Sequence, residues 1–98
     1  MYLYNVTIIA ENDIRDAVKQ CINAQFFDHP DTTSSLSLLE VLDSPHEGTT
    51  YCIQLRTENS DDILAFQAQH WNVVQELLSQ KHPGKVLFFD SMMKYLNK

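Results

Sequence analysis

The stretch Tyr2–Ala10, Y-L-Y-N-V-T-I-I-A, leaves this chain few folds to choose from. It is β-branched and aromatic, holds neither Gly nor Pro, and reads as a strand in the middle of a small sheet. Side chains alternate across a strand, so Tyr2, Tyr4, Val6, Ile8 and Ala10 share one side and Leu3, Asn5, Thr7 and Ile9 the other. The first set is apolar apart from phenol hydroxyls and predicts a cover of helices. The second set mixes apolar and polar groups, and what meets it is the functional question.

The rest of the chain supplies the cover. Ile14, Ala17, Val18, Cys21 and Ile22 recur at helical spacing, with Asn12 or Asp13 placed to cap the helix and Phe26 and Phe27 off the stripe where it ends, folded over the open end of the core. Asp28–Ser35, D-H-P-D-T-T-S-S, reads as a loop. A second strand is expected over Leu36–Asp43, with apolar groups on both faces. Ser44–Gly48 carries Pro and Gly between two strand patterns and reads as a hairpin loop. Thr49–Thr57 alternates cleanly, Tyr51, Ile53 and Leu55 against Thr50, Cys52, Gln54 and Arg56. A second helix follows a cap at Asn59 or Ser60. Its apolar stripe is Ile63, Phe66, His70, Val74 and Leu77, with Trp71, Val73 and Leu78 flanking, and Pro83-Gly84 stops it. Lys85–Met93 is the last strand.

The order is β-α-β-β-α-β. With right-handed crossovers it predicts an α+β ferredoxin-like plait, one domain over residues 1–98: a four-stranded antiparallel sheet with both helices on one face. The first and third strands are then central. Tyr4, Val6, Ile8, Tyr51, Ile53 and Leu55 lie under the helices. Asn5, Thr7, Ile9, Leu39, Val41, Cys52, Gln54 and Arg56 share the open face with part of the last strand. That face is too apolar to be simply wet and too polar to be an ordinary core. The expectation is a homodimer that pairs two such faces; a half-polar face left open to water is the alternative.

Charge narrows the partners. The net charge is −6 with seven scattered basic residues, which argues against nucleic acid and against anionic membrane surfaces. No apolar run is long enough to span a bilayer and no signal-peptide pattern opens the chain, so a cytoplasmic protein is expected. Cys21 and Cys52 then read as reduced thiols used as small apolar side chains.

Met1-Tyr2-Leu3-Tyr4-Asn5-Val6-Thr7-Ile8 resembles the M-Y-x-Y-N-V-T-x opening of a small bacterial family known as domain of unknown function 4286. Gly48-Thr49-Thr50-Tyr51-Cys52-Ile53-Gln54-Leu55 is similar to that family's G-x-T-Y-x-V-Q-Y strand. The resemblance implies a ferredoxin-like, dimeric α/β-barrel-like, cytosolic bacterial protein, and it brings no activity with it. Asn5, Thr7, Tyr51 and Gln54 carry over as matched positions only. Asp28–Ser35 departs from the family, which has a longer segment there with a T-G-x-F-like pattern.

No motif of specific chemistry appears, and no cofactor is implied. Two glycines cannot make a Gly-rich phosphate loop, and C-x-x-C, H-E-x-x-H and G-x-S-x-G are absent. His29, His46, His70 and His82 have no ligand partner at helical spacing, so no metal site is expected. His70 sits on the apolar stripe and reads as a core or half-buried imidazole bonded to a backbone carbonyl or a tyrosine hydroxyl; a general base facing a pocket is the sharper reading. Asp28, His29 and Asp31 read as a solvated loop, and Phe88, Phe89, Met92 and Met93 as edge-strand packing. The set that matters is Asn5, Thr7, Cys52, Gln54 and Arg56, which neighbouring strands bring together. It serves as a hydrogen-bonded dimer seam or lines a small-molecule cavity between two sheets, as in cofactor-independent oxygenases of barrel type. A metabolite-binding regulatory module is the third possibility. An interaction domain without catalysis is the leading expectation.

Overall fold

The computed structural model describes residues 1–28, 35–43, 45 and 47–97. Four strands, β1 (Tyr2–Ala10), β2 (Leu36–Glu40), β3 (Thr49–Thr57) and β4 (Val86–Lys94), form one antiparallel sheet in the order β2-β3-β1-β4. Helix α1 (Arg15–Ile22) follows β1. Helices α2 (Ser60–Phe66) and α3 (Asn72–Lys81), linked by a π turn at Gln67–Trp71, lie between β3 and β4. This is the ferredoxin-like plait that the element order predicts, with β1 and β3 central.

The register explains the burial. Tyr4, Val6 and Ile8 stand opposite Leu55, Ile53 and Tyr51, and all six are buried beneath the helices. Val18, Ile22, Ile63, Val74 and Leu78 close over them. Each such aliphatic or aromatic side chain stabilises the fold by about 1.5–3 kcal/mol when fully buried. Gly48 holds φ at +97°, and a Cβ there would collide with the carbonyl oxygen of Ala10. Glycine therefore lets the loop before β3 pass close to the end of β1.

Several local expectations are corrected. Neither Asn12 nor Asp13 caps the first helix; no side-chain cap bond is made there. Asn12 Oδ1 instead accepts from Thr49 Oγ1 at 2.9 Å, and Asp13 pairs with Lys85 at 2.7 Å. Tertiary partners outcompete the local backbone for both side chains. Asn59 does cap α2, its side chain accepting from the Asp61 N–H at 2.9 Å.

Ala17 is exposed, and Phe26, read as off the stripe, is fully buried. Val18, Ile22 and Phe26 make one ridge at a spacing of four, carried on by a π turn at Asn23–Phe27. Phe26 stacks on Phe66 with centroids 5.2 Å apart. In the second helical run, Trp71 and Leu78, read as flanking the stripe, are the buried residues, while Leu77 is half-buried, and so is His70, in keeping with its reading as core or half-buried. The π turn explains the shift. It adds one residue to a turn, so the stripe runs Ile63, Phe66, Trp71, Val74, Leu78, with a step of five across the turn.

β2 ends at Glu40, short of Asp43, which adopts φ +57°. β4 begins and ends one residue later than the pattern suggests. His29, Asp31 and His46 lie outside the described residues.

Candidate functional site

The open face of the sheet is built in rows, one residue from each strand. Ser37, Gln54, Asn5 and Ser91 are in register across β2, β3, β1 and β4. The next row is Leu39, Cys52, Thr7 and Phe89. Beyond it Thr50, Ile9 and Leu87 align, and the Val41 N–H donates to the Thr50 carbonyl at 2.9 Å, which extends that row past the end of β2. On the other side of the polar row lie Arg56, Leu3 and Met93.

Polarity is concentrated at the centre and apolar exposure at the edges. Leu39, Leu87, Phe89 and Met93 are 45%, 59%, 55% and 45% exposed on the two edge strands, whereas Ile9 in the middle is 8% exposed. The chain has thirteen Asp and Glu residues, yet none stands in these rows. Glu40 and Asp90 pair with Tyr51 and Val6 and so belong to the helix-covered side. A surface stripped of carboxylates in an acidic protein is suited to burial, because a buried charge needs a partner and a neutral side chain does not.

Four of the five candidate residues are joined. Gln54 Nε2 donates to Asn5 Oδ1 at 3.2 Å, and Asn5 Nδ2 donates to Thr7 Oγ1 at 3.1 Å. Thr7 Oγ1 lies 3.7 Å from Cys52 Sγ. Arg56 stands apart, exposed, beside a hollow of about 290 Å³ that it lines with Met1, Ser35 and Ser37. The linked set is neutral. It can hydrogen-bond and orient, but it offers no paired acid and base. Among the described residues no three metal-ligating side chains come together. A buried hydroxyl, Thr50 Oγ1, has no hydrogen-bond partner among the described residues.

The helix side holds a second feature. A cleft of about 260 Å³ opens between α2 and the β2–β3 edge, floored by Leu36, Leu55 and Phe66. Thr57, Asp62, Gln69 and His70 line its rim, with Thr57 Oγ1 donating to Asp62 Oδ2 at 2.5 Å. His70 is half-buried, its ring 5.7 Å from that of Phe66 and 6.2 Å from that of Phe26. The half-burial agrees with the reading, the aromatic neighbours were not foreseen, and the ring also borders a cleft.

Sequence reasoning missed a polar group at the margin of the core, where the exposed Asp90 and the half-buried Gln67 reach the hydroxyl of Tyr4. The buried Tyr4 hydroxyl donates to Asp90 Oδ2 at 2.6 Å and accepts from Gln67 Nε2 at 3.1 Å. Burial, then the acceptor Asp90, push the Tyr4 phenol up to about 12. The available signal was Asp90 itself, a carboxylate between Phe88 and Met92 on the inward side of a strand. Gln67 enters through the π turn, which no sequence pattern announced. Burial likewise pushes the Cys21 thiol up, so neither the thiol nor the phenol is poised for ionisation near neutral pH.

Comparison with known proteins agrees with this geometry. The model of a protein family described as a domain of unknown function (DUF4286) matches residues 1–96. No curated protein matches the chain. Among solved structures, a "putative antibiotic biosynthesis monooxygenase" from Nitrosomonas europaea superposes with a TM-score of 0.71 at 14% identity, covering 99% of this chain and 100% of that one. Another so described, from Deinococcus radiodurans, gives 0.69 at 15% identity over 100% and 95% of the two chains. A dimeric ferredoxin-like protein from an uncultured marine organism gives 0.56 at 13% identity over 99% and 96%. At such identities the likeness is one of fold.

Proposed function

The chain belongs to the DUF4286 family, and we propose that its open sheet face is where two copies meet, so that the protein serves as a homodimeric interaction domain of the bacterial cytosol and not as a catalyst. The observation that carries this reading is the composition of that face. It is apolar at both edges, hydrogen-bonded and neutral at the centre, and free of carboxylates in a chain of net charge −6. Two copies with carboxylates there would repel; in the described rows the charged side chain is Arg56, to one side of the neutral polar row. The existence of a dimeric ferredoxin-like protein on the same fold supports the reading. Among the described residues no helix is long and apolar enough to cross a membrane, which fits it as well.

The test is solution mass by light scattering across a dilution series. A mass twice that of the chain at micromolar concentration is expected, falling toward one chain on dilution. A single-chain mass throughout would overturn the proposal.

One observation favours a second reading, small-molecule binding. The cleft of about 260 Å³ beside His70 combines an apolar floor with a polar rim, though it lies on the helix side and not between sheets near Gln54 and Arg56. Pockets that hold small ligands share that mixture at somewhat larger size. Thermal stabilisation in a metabolite screen would support it, and a flat screen would remove it.

A further inference from the structure

The rows of the open face also say how two copies would lie against each other, and this inference rests on the proposed dimer. We infer that the two-fold axis runs parallel to the strands, between β1 and β3, so that each row meets the same row of its partner with edges exchanged. A two-fold pairing of aligned sheets has two simple choices. An axis along the strands keeps every row at its own height and swaps left for right. An axis across the strands keeps left and right and turns the rows upside down.

Row chemistry distinguishes them. With the axis along the strands, Leu39 on β2 faces Phe89 on the partner's β4, and Val41 faces Leu87. Apolar edges then meet apolar edges. With the axis across the strands and through the polar row, Arg56 is laid on Cys52, and the Thr50–Ile9–Leu87 row passes beyond the row of Arg56, Leu3 and Met93.

Hydrogen bonding is compatible with that axis. Asn5 uses one amide hydrogen on Thr7, and Gln54 uses one on Asn5. Among the described residues, Asn5 therefore keeps a spare N–H and Gln54 a spare carbonyl oxygen. An axis along the strands sets Asn5 opposite Gln54 twice over, donor to acceptor. An axis across the strands sets each amide against its own kind, a pairing that primary amides also satisfy donor to acceptor, so the row chemistry decides between the two axes.

The area suffices. Three strands of nine residues and one of five, spaced at about 4.8 Å with a rise of about 3.3 Å per residue, outline a face of roughly 500 Å², so that the two faces together bury about 1,000 Å². That is at the threshold of a specific interface.

Ser37 and Ser91 make the arrangement measurable. Both are exposed, at opposite edges of the polar row, so exchange to cysteine leaves the core alone. In a Cys21→Ser, Cys52→Ser background, Ser37→Cys and Ser91→Cys chains are prepared separately, checked for dimer by light scattering, and treated with a short bis-maleimide. The inferred axis predicts cross-linking only when the two are mixed, because position 37 faces position 91 of the partner. Self-linking of each variant alone, or a dimer that links in neither case, would overturn the inference and leave the dimer standing. If chains with the native cysteines stay monomeric at every concentration, the proposed dimer falls and the axis with it. If only the cysteine-free background is monomeric, the same two single variants are retested with Cys52 restored and Cys21→Ser alone, against a Ser37, Ser91 control, and judged by the same two outcomes.

Discussion

The two faces of this sheet are made from the same strands by the same alternation, yet they obey different rules. On the helix-covered face every central position is a large apolar side chain, and Val6, Ile8 and Ile53 are wholly buried. On the open face the corresponding central positions are Asn5, Thr7, Cys52 and Gln54, tied to one another by short polar contacts. One face is held by the chain's own helices and admits polar groups that find partners, such as the Tyr4–Asp90–Gln67 group and the Tyr51 hydroxyl on the Arg15 carbonyl. The other has its polarity in the middle and its exposed apolar groups at the rim. A core gains from apolar area at its centre. A face that must also survive in water before it finds a partner gains from satisfied polar groups there.

The contrast can be tested from its strongest consequence downward. Phe26→Ala removes a fully buried ring stacked on Phe66, and a loss of about 3–5 kcal/mol is expected in urea unfolding. A loss below 1 kcal/mol would mean that the helix layer is not the core it appears geometrically to be. Phe89→Asp is the counterpart on the open face, at a residue 55% exposed. It should change the stability of the isolated chain by no more than about 0.5 kcal/mol. It should also weaken self-association by at least about tenfold in light scattering, since it sets a carboxylate at the apolar rim.

Tyr4→Phe should cost about 1–2 kcal/mol, by deleting a hydrogen bond to a carboxylate. It also carries a pH signature. The folded phenol titrates near 12, above its ordinary value, so the fold holds the proton that the unfolded chain releases first. This contribution is fully present below about pH 10 and is lost as pH rises toward 12. Tyr4→Phe should flatten that alkaline limb, and an unchanged slope would count against the assigned cause. Smallest is Thr50→Val, which replaces a buried hydroxyl lacking a described partner with a methyl of the same shape. Stability should stay level or rise by up to about 1 kcal/mol. A clear loss would reveal a partner for that hydroxyl.

Much of this molecule was legible in its residues. The nine residues of β1, the clean alternation of β3 and the element order sufficed for the topology and for sorting side chains to the two faces. The candidate set was legible too, because register in a sheet with one apolar face is strongly determined. Arg56 was grouped with that set by alternation alone, and only the hydrogen bonds separate it. The helix stripes were read less well. A fixed angle of 100° per residue leads to His70 and Leu77, and one added residue in a π turn hands their places to Trp71 and Leu78. The same arithmetic put Phe26 off the stripe and over the open end of the core, whereas it continues the ridge of Val18 and Ile22 and stacks on Phe66.

What the sequence determined by itself, then, is which residues share a strand face and in what order the elements pair, because a period of two cannot slip without turning every side chain over. Tertiary structure decided what periodicity does not encode. It chose where a helix takes an extra residue, gave Asn12 and Asp13 partners in place of caps, and set Asp90 within reach of Tyr4. Those outcomes depend on distances between segments far apart in the chain, and such distances exist only once the helices have settled on the sheet.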